Sequence, residues 1–195
     1  MKNSHLARLI ALTATTGLLS ACGSSSSTQQ TFDYNADAMI SNVVNNVIVD
    51  GYEALSLRAD DLVIAVAALN DGDITEADLN SAQAAWINAR SPWEQGESHI
   101  FGPVDSLEID PHLDSWPLAT ADLEAVVNSL SATYDIDNVL AANDDVQGFH
   151  AMEYILFGDG ISSNDQVASD LSANEVIYLA ALAGAFQKYT SDLET

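Results

Sequence analysis

His150 and Glu153, in the run Gly148-Phe149-His150-Ala151-Met152-Glu153, stand three positions apart. On a helix that spacing puts both side chains on one face, where an imidazole and a carboxylate can hold one cation between them. Helical bundles build carboxylate-rich metal sites from such pairs. Phe149, Met152, Ile155 and Leu156 would pack around the pair and turn it inward. The simpler alternative is a surface pair, or a buried histidine satisfied by its glutamate. Glu94 and Glu97 share the same spacing, and the segment after them carries Asp105, Glu108, Asp110 and Asp114. Oxygen donors with one imidazole suit iron, manganese, zinc or calcium better than a soft metal. Glu94 stands where a capping box would turn it back on its own backbone, whereas Glu97 does not. Asp110 precedes Pro111, and extended backbone there would aim its side chain away from a helix. Arg90 lies between Trp86 and Trp93, and buried there it would pair with a site carboxylate and fix its orientation.

What the sequence lacks narrows the chemistry. There is no H-E-x-x-H, the H-x-x-E-H pattern fails at Tyr154, and neither G-x-S-x-G nor a phosphate-binding glycine loop occurs. Binding of a divalent metal ion is the leading expectation. A zinc metallopeptidase, with Glu153 or a loop acid as general base toward metal-bound water, is the enzymatic alternative. A metal-free module that docks an envelope protein partner is the third.

The elements that must hold these residues read as helices throughout, with no strand-like alternation. Met39, Ile40, Val43, Val44, Val47 and Ile48, then Leu55, Leu62, Val66 and Leu69, recur at helical spacing. They predict one long helix, kinked at Gly51 and ended by Asn70-Asp71-Gly72-Asp73. A second helix starts near Thr75. Ser91-Pro92-Trp93-Glu94 looks like an N-cap with Pro at the first helical position, so the helix restarts or kinks there. His99 to Leu118 holds three prolines and predicts a long ordered loop, a length usually reserved for function. A short helix follows from Thr120 to Leu130, and another from Asp144 or Asp145 to Gly158. Ser172-Ala173-Asn174-Glu175 is a capping box that opens a last helix. The expected fold class is all-α: an antiparallel helical bundle with one long ordered loop.

Residues 1–21 predict a lipoprotein signal peptide: Lys2 and Arg8, an apolar stretch from Leu9 to Leu19, then Leu19-Ser20-Ala21-Cys22. Cys22, the only cysteine, stands where lipidation needs it, and acyl chains there would anchor the protein to a membrane. Residues 22–31 read as a flexible Ser- and Gln-rich tether, and residues 32–195 as the folded domain. Gly23, where an Asp would favour inner-membrane retention, points to the outer membrane of the cell envelope. Acidic residues number 29 against five basic, for a net charge of −24, and only Arg58, Arg90 and Lys188 are basic beyond the leader. Such a surface repels phosphate backbones and excludes nucleic acid as a partner.

Three blocks carry a resemblance. Trp86-Ile-Asn-Ala-Arg90-Ser-Pro-Trp-Glu-Gln-Gly-Glu97, Ile109-Asp-Pro-His-Leu-Asp-Ser-Trp-Pro117 and Gly148-Phe-His-Ala-Met-Glu-Tyr-Ile-Leu-Phe-Gly158 resemble the hallmark segments of the imelysin family, in family order. So does Phe101-Gly-Pro-Val-Asp105 between them. The resemblance implies a helical bundle and a metal site of His150 and Glu153, with Glu94, Glu97 and Asp110 as partners and Arg90, Trp93 and Gly148 in support. It implies iron or zinc as the ion and a role in iron uptake or sensing, although the family is also classed with metallopeptidases. Typical members are about twice as long, with two related helical halves.

Overall fold

The computed structural model describes residues 35–70, 72–130, 133–160 and 166–194. The expected signal peptide, Cys22 and the tether lie outside the described residues. Every regular element among those residues is helical. Thr75 shows how the sequence starts one: its hydroxyl accepts from the Asp78 amide at 3.3 Å, and its own amide donates to the Asp78 carboxylate at 3.0 Å. That reciprocal cap opens α3 (Glu76–Gly96). Before it come α1 (Ala36–Val43), a π-helical segment (Val44–Val49) and α2 (Asp50–Ala68). The break in the first long helix is thus the π segment, and Gly51 sits inside regular α2.

Pro92 lies inside α3, which neither stops nor restarts there. Proline removes only the amide that would answer the Asn88 carbonyl, near the helix end, where little helix remains to be lost. Glu94 therefore lies in the last turn of α3 and is not part of an N-terminal cap. The segment expected as a loop is mostly short helix: a turn at Glu97–His99, α4 (Pro103–Ser106) and α5 (Ile109–Asp114). Glu108, at φ 53°, takes the left-handed conformation that turns the chain from α4 into α5. Asp110 and Pro111 fall in the first turn of α5 and are helical, contrary to the extended expectation. First-turn amides have no partner within the helix, so proline costs nothing there.

After α6 (Thr120–Ser129) comes α7 (Ile136–Leu140), a helix that the sequence pattern does not predict; Asp135 caps it. A short turn at Asp144–Val146 then gives way to extended Gln147, so α8 (Gly148–Phe157) starts later than the spacing predicts. Finally Ser172, capped reciprocally with Glu175, opens α9 (Ala173–Asp192).

Helix α2 packs on α3 and α9, and α8 packs on the same two, so four helices enclose the core. Leu55, Leu62, Phe149, Met152, Tyr178 and Phe186 are fully buried in it, each such side chain worth about 1.5–3 kcal/mol. Two hydrogen bonds fix α3 against α8: Gln83 donates to the Leu156 carbonyl at 2.7 Å and Trp86 to the Phe149 carbonyl at 3.0 Å. The rising order on α3 meets a falling order on α8, so the pair is antiparallel. This register brings the end of α3 beside the start of α8.

Candidate functional site

Gly148 decides how the second motif arrives. Its φ is +75°, and a Cβ built on it would lie 2.4 Å from the Leu113 carbonyl oxygen and 2.7 Å from that of His112. Only glycine lets the first residue of α8 press against the last turn of α5. Two residues on, His150 Nε2 consequently lies 3.2 Å from Asp114 Oδ1.

Asp114 is the hub. Its Oδ1 also meets the Arg90 guanidinium, and its Oδ2 accepts from Trp93 Nε1 at 2.8 Å. Burial alone would raise its pKa, but hydrogen bonds from His150, Arg90 and Trp93 outweigh that and lower the pKa to about 2. Arg90 Nε binds Glu94 at 2.5 Å, and the guanidinium carbon lies 4.9 Å from the centre of the Phe149 ring. Burial would lower the Arg90 pKa, and Asp114 and Glu94 reverse that. The other imidazole nitrogen, Nδ1, lies 3.0 Å from Glu153. Both ring nitrogens thus face carboxylates, which can only accept, so the arrangement favours the doubly protonated imidazolium. The hydrogen bond to Asp114 raises the His150 pKa, burial opposes, and Glu153 adds to the rise.

The pair His150 and Glu153 opens onto a pocket of about 540 Å³, walled by Trp86, Trp116, Pro117 and Phe157. Trp116 is 73% exposed, and its ring centre lies 4.8 Å from that of His150, so it forms the outer wall over the imidazole. Tyr154, where another peptidase pattern would place histidine, instead donates to Glu124 at 2.6 Å, and that bond pushes its pKa up to about 12.

The structure gathers only part of the residues singled out from sequence. His150 and Glu153 share the pocket, and Arg90 and Trp93 stand behind them on Asp114. Gly148 supplies the close approach. Glu94 is held by Arg90. Asp110 is near enough to Asp114 that, after burial, the Asp114 charge is the second cause of its raised pKa. Glu97 lines a different cavity, with Tyr52 and His99. Among the described residues no three His, Cys, Asp or Glu side chains converge as a metal cluster. Asp114, the centre, stood in the sequence as one loop acid among four. Its signal was the unassigned partner of Arg90.

An antiparallel helical bundle whose α5 aspartate is clamped by arginine, tryptophan and a G-x-H-x-x-E histidine is a defined class of helical protein. The imelysin profile matches residues 48–195, and the chain belongs to the imelysin family. It is 34% identical over 140 residues to iron-regulated protein A of Synechococcus elongatus, covering 72% of this chain and 35% of that one. Among solved structures it resembles a candidate iron-regulated protein A precursor from Parabacteroides distasonis, with TM-score 0.67, 27% identity and coverage of 80% and 43%. An imelysin-like protein from Psychrobacter arcticum shares the fold at TM-score 0.70 and 15% identity, over 83% of this chain and 50% of that one. The chain therefore spans about a third of the curated relative's length and half or less of these structures.

Proposed function

We propose that this chain serves iron uptake or sensing at the cell envelope and takes a divalent metal as cargo at His150 and Glu153. The supporting observation is the 3.0 Å pair itself, partly exposed at a pocket and backed by the part-buried charge network of Asp114 and Arg90. A relative bearing the name iron-regulated protein A points the same way. The donors fit a cation only in part. Asp114 has both oxygens engaged by Arg90 and Trp93, so the protein offers an imidazole and one carboxylate, and water or another molecule completes the shell. A cation must also displace a proton from His150. Because that pKa is raised, affinity is weak where the imidazole is protonated and grows as pH rises through its folded value. Anchoring through a lipid on Cys22, at the outer membrane, belongs to the same proposal and rests on Leu19-Ser20-Ala21-Cys22.

Calorimetric titration of metal-stripped residues 23–195 with Fe²⁺ and Zn²⁺ at pH 6 and pH 8 tests the metal reading. Binding that tightens with pH and is lost in His150→Ala and Glu153→Gln supports it. Equal affinity in wild type and His150→Ala refutes it. Incorporation of labelled fatty acid that disappears in Cys22→Ser tests the anchor.

A further inference from the structure

The pocket beside His150 is far larger than an ion needs. At about 540 Å³ it falls within the range of small-molecule sites, roughly 300–1,000 Å³. Trp86, Trp116, Tyr154 and Phe157 bring aromatic rings to it, and Ile87 adds an aliphatic wall. Trp86 and Phe157 meet edge to face with ring centres 5.3 Å apart, which makes an aromatic corner. The hydrogen bond from Trp86 to the Phe149 carbonyl fixes that corner on α8. Trp116 and Ile87 are 73% and 54% exposed, so two large apolar side chains of one pocket stand open to water.

Charge selects the ligand. Among the described residues, Glu153 and Asp159 line this pocket, and no lysine or arginine does. His150 adds a positive charge when protonated, but Asp114 and Glu153 answer it on its two nitrogens, at 3.2 and 3.0 Å. The second of these contacts uses Oε2 of Glu153 and leaves Oε1 for another cation. An anion would meet the two carboxylates and a chain of net charge −24. A neutral apolar ligand would strip water from Glu153 and give nothing back. An organic ammonium ion suits both surfaces. Its methyl groups pack on ring faces whose negative quadrupole attracts the charge, and a carboxylate balances it.

We propose that this pocket binds a quaternary ammonium compound, with Trp116 and the Trp86–Phe157 corner as aromatic walls and Glu153 as counter-ion. Binding is non-covalent and moves no proton, because a quaternary nitrogen carries none. The ligand is a free ammonium compound and not a lipid head group, whose phosphate would meet Glu153 and Asp159. The ammonium ion shares Glu153 with the metal pair but needs no metal.

The test is calorimetric titration of the metal-stripped full chain with choline chloride in the presence of a chelator. Saturable binding is expected, with the uncharged isostere that has carbon in place of nitrogen at least about fivefold weaker. Trp116→Ala and Glu153→Gln should each weaken choline by about fivefold or more, and Trp116→Phe should restore most of it. Trp116 is exposed, so its variants leave the core intact, and circular dichroism verifies that they fold. Phosphocholine, the soluble form of a lipid head group, should bind more weakly than choline. No choline binding, equal binding of the uncharged isostere, or unchanged affinity in Trp116→Ala overturns the proposal. Tighter binding of phosphocholine does so too, since the pocket would then belong to a lipid. The chelator removes metal from every titration, so failure of the metal reading leaves these results unchanged. A chain that binds metal but not choline sinks only the ammonium site.

Discussion

Replacing Asp114 with asparagine keeps the shape of the hub and removes its charge. The folded pKa near 2 against an ordinary value of 3.8 means the carboxylate contributes roughly 2–3 kcal/mol at pH 7. The side chain is only 12% exposed, so little of this is lost to solvent screening. Arg90 keeps Glu94, which limits the cost of leaving its charge behind. For a domain of this size, about 2–4 °C per kcal/mol predicts a Tm drop of roughly 5–10 °C. The pH dependence is the sharper test. A depressed carboxylate pKa gives stability that is full above the unfolded value and disappears as pH falls through the folded one. The gap between wild type and Asp114→Asn should therefore be constant from pH 7 to pH 5. It should shrink to about half by pH 3. Urea unfolding followed by circular dichroism at each pH measures it, and NMR titration should show the His150 pKa falling in the variant. A gap below about 1 kcal/mol at pH 7, or one as large at pH 3 as at pH 7, refutes the reasoning.

Gly148→Ala should be more damaging than its size suggests. The added methyl meets two carbonyl oxygens under 3 Å at φ +75°, so a loss of at least about 2 kcal/mol is expected, read as a lowered urea midpoint. Ser172→Ala removes one half of the α9 cap, whose hydroxyl accepts from the Glu175 amide at 3.2 Å. It should cost about 1 kcal/mol in the same assay and leave the His150 titration unchanged.

Helix type and several starts were legible because they rest on local chemistry. Thr75 and Ser172 announce their caps with an acid three residues later, and the 3.6-residue apolar period needs no tertiary knowledge. What was hidden depends on contacts distant in sequence. Pro92 reads as a helix start unless one knows that the helix continues past it. Three prolines between His99 and Leu118 suggest a loop, yet Pro103 and Pro111 sit in first turns where a missing amide is harmless. At the site, H-x-x-E was visible as a local pair. The role of Asp114 was not, because nothing in its neighbours distinguishes it from Asp105 or Asp110. Only the approach of α8 to α5 selects it. Glu97 was paired with Glu94 by spacing and joined to His150 by the family resemblance, and the end of α3 turns it to another cavity.

The contact at Gly148 is main chain against main chain, and that has a consequence for how such a site can change over time. The span between positions 114 and 150 is set by peptide groups, which no substitution at either position alters. The frame works as a jig: side chains at 114, 150 and 153 can be exchanged while their anchor points stay in register. New donor chemistry can then be tried by point mutation without first rebuilding the bundle, provided that position 148 remains glycine.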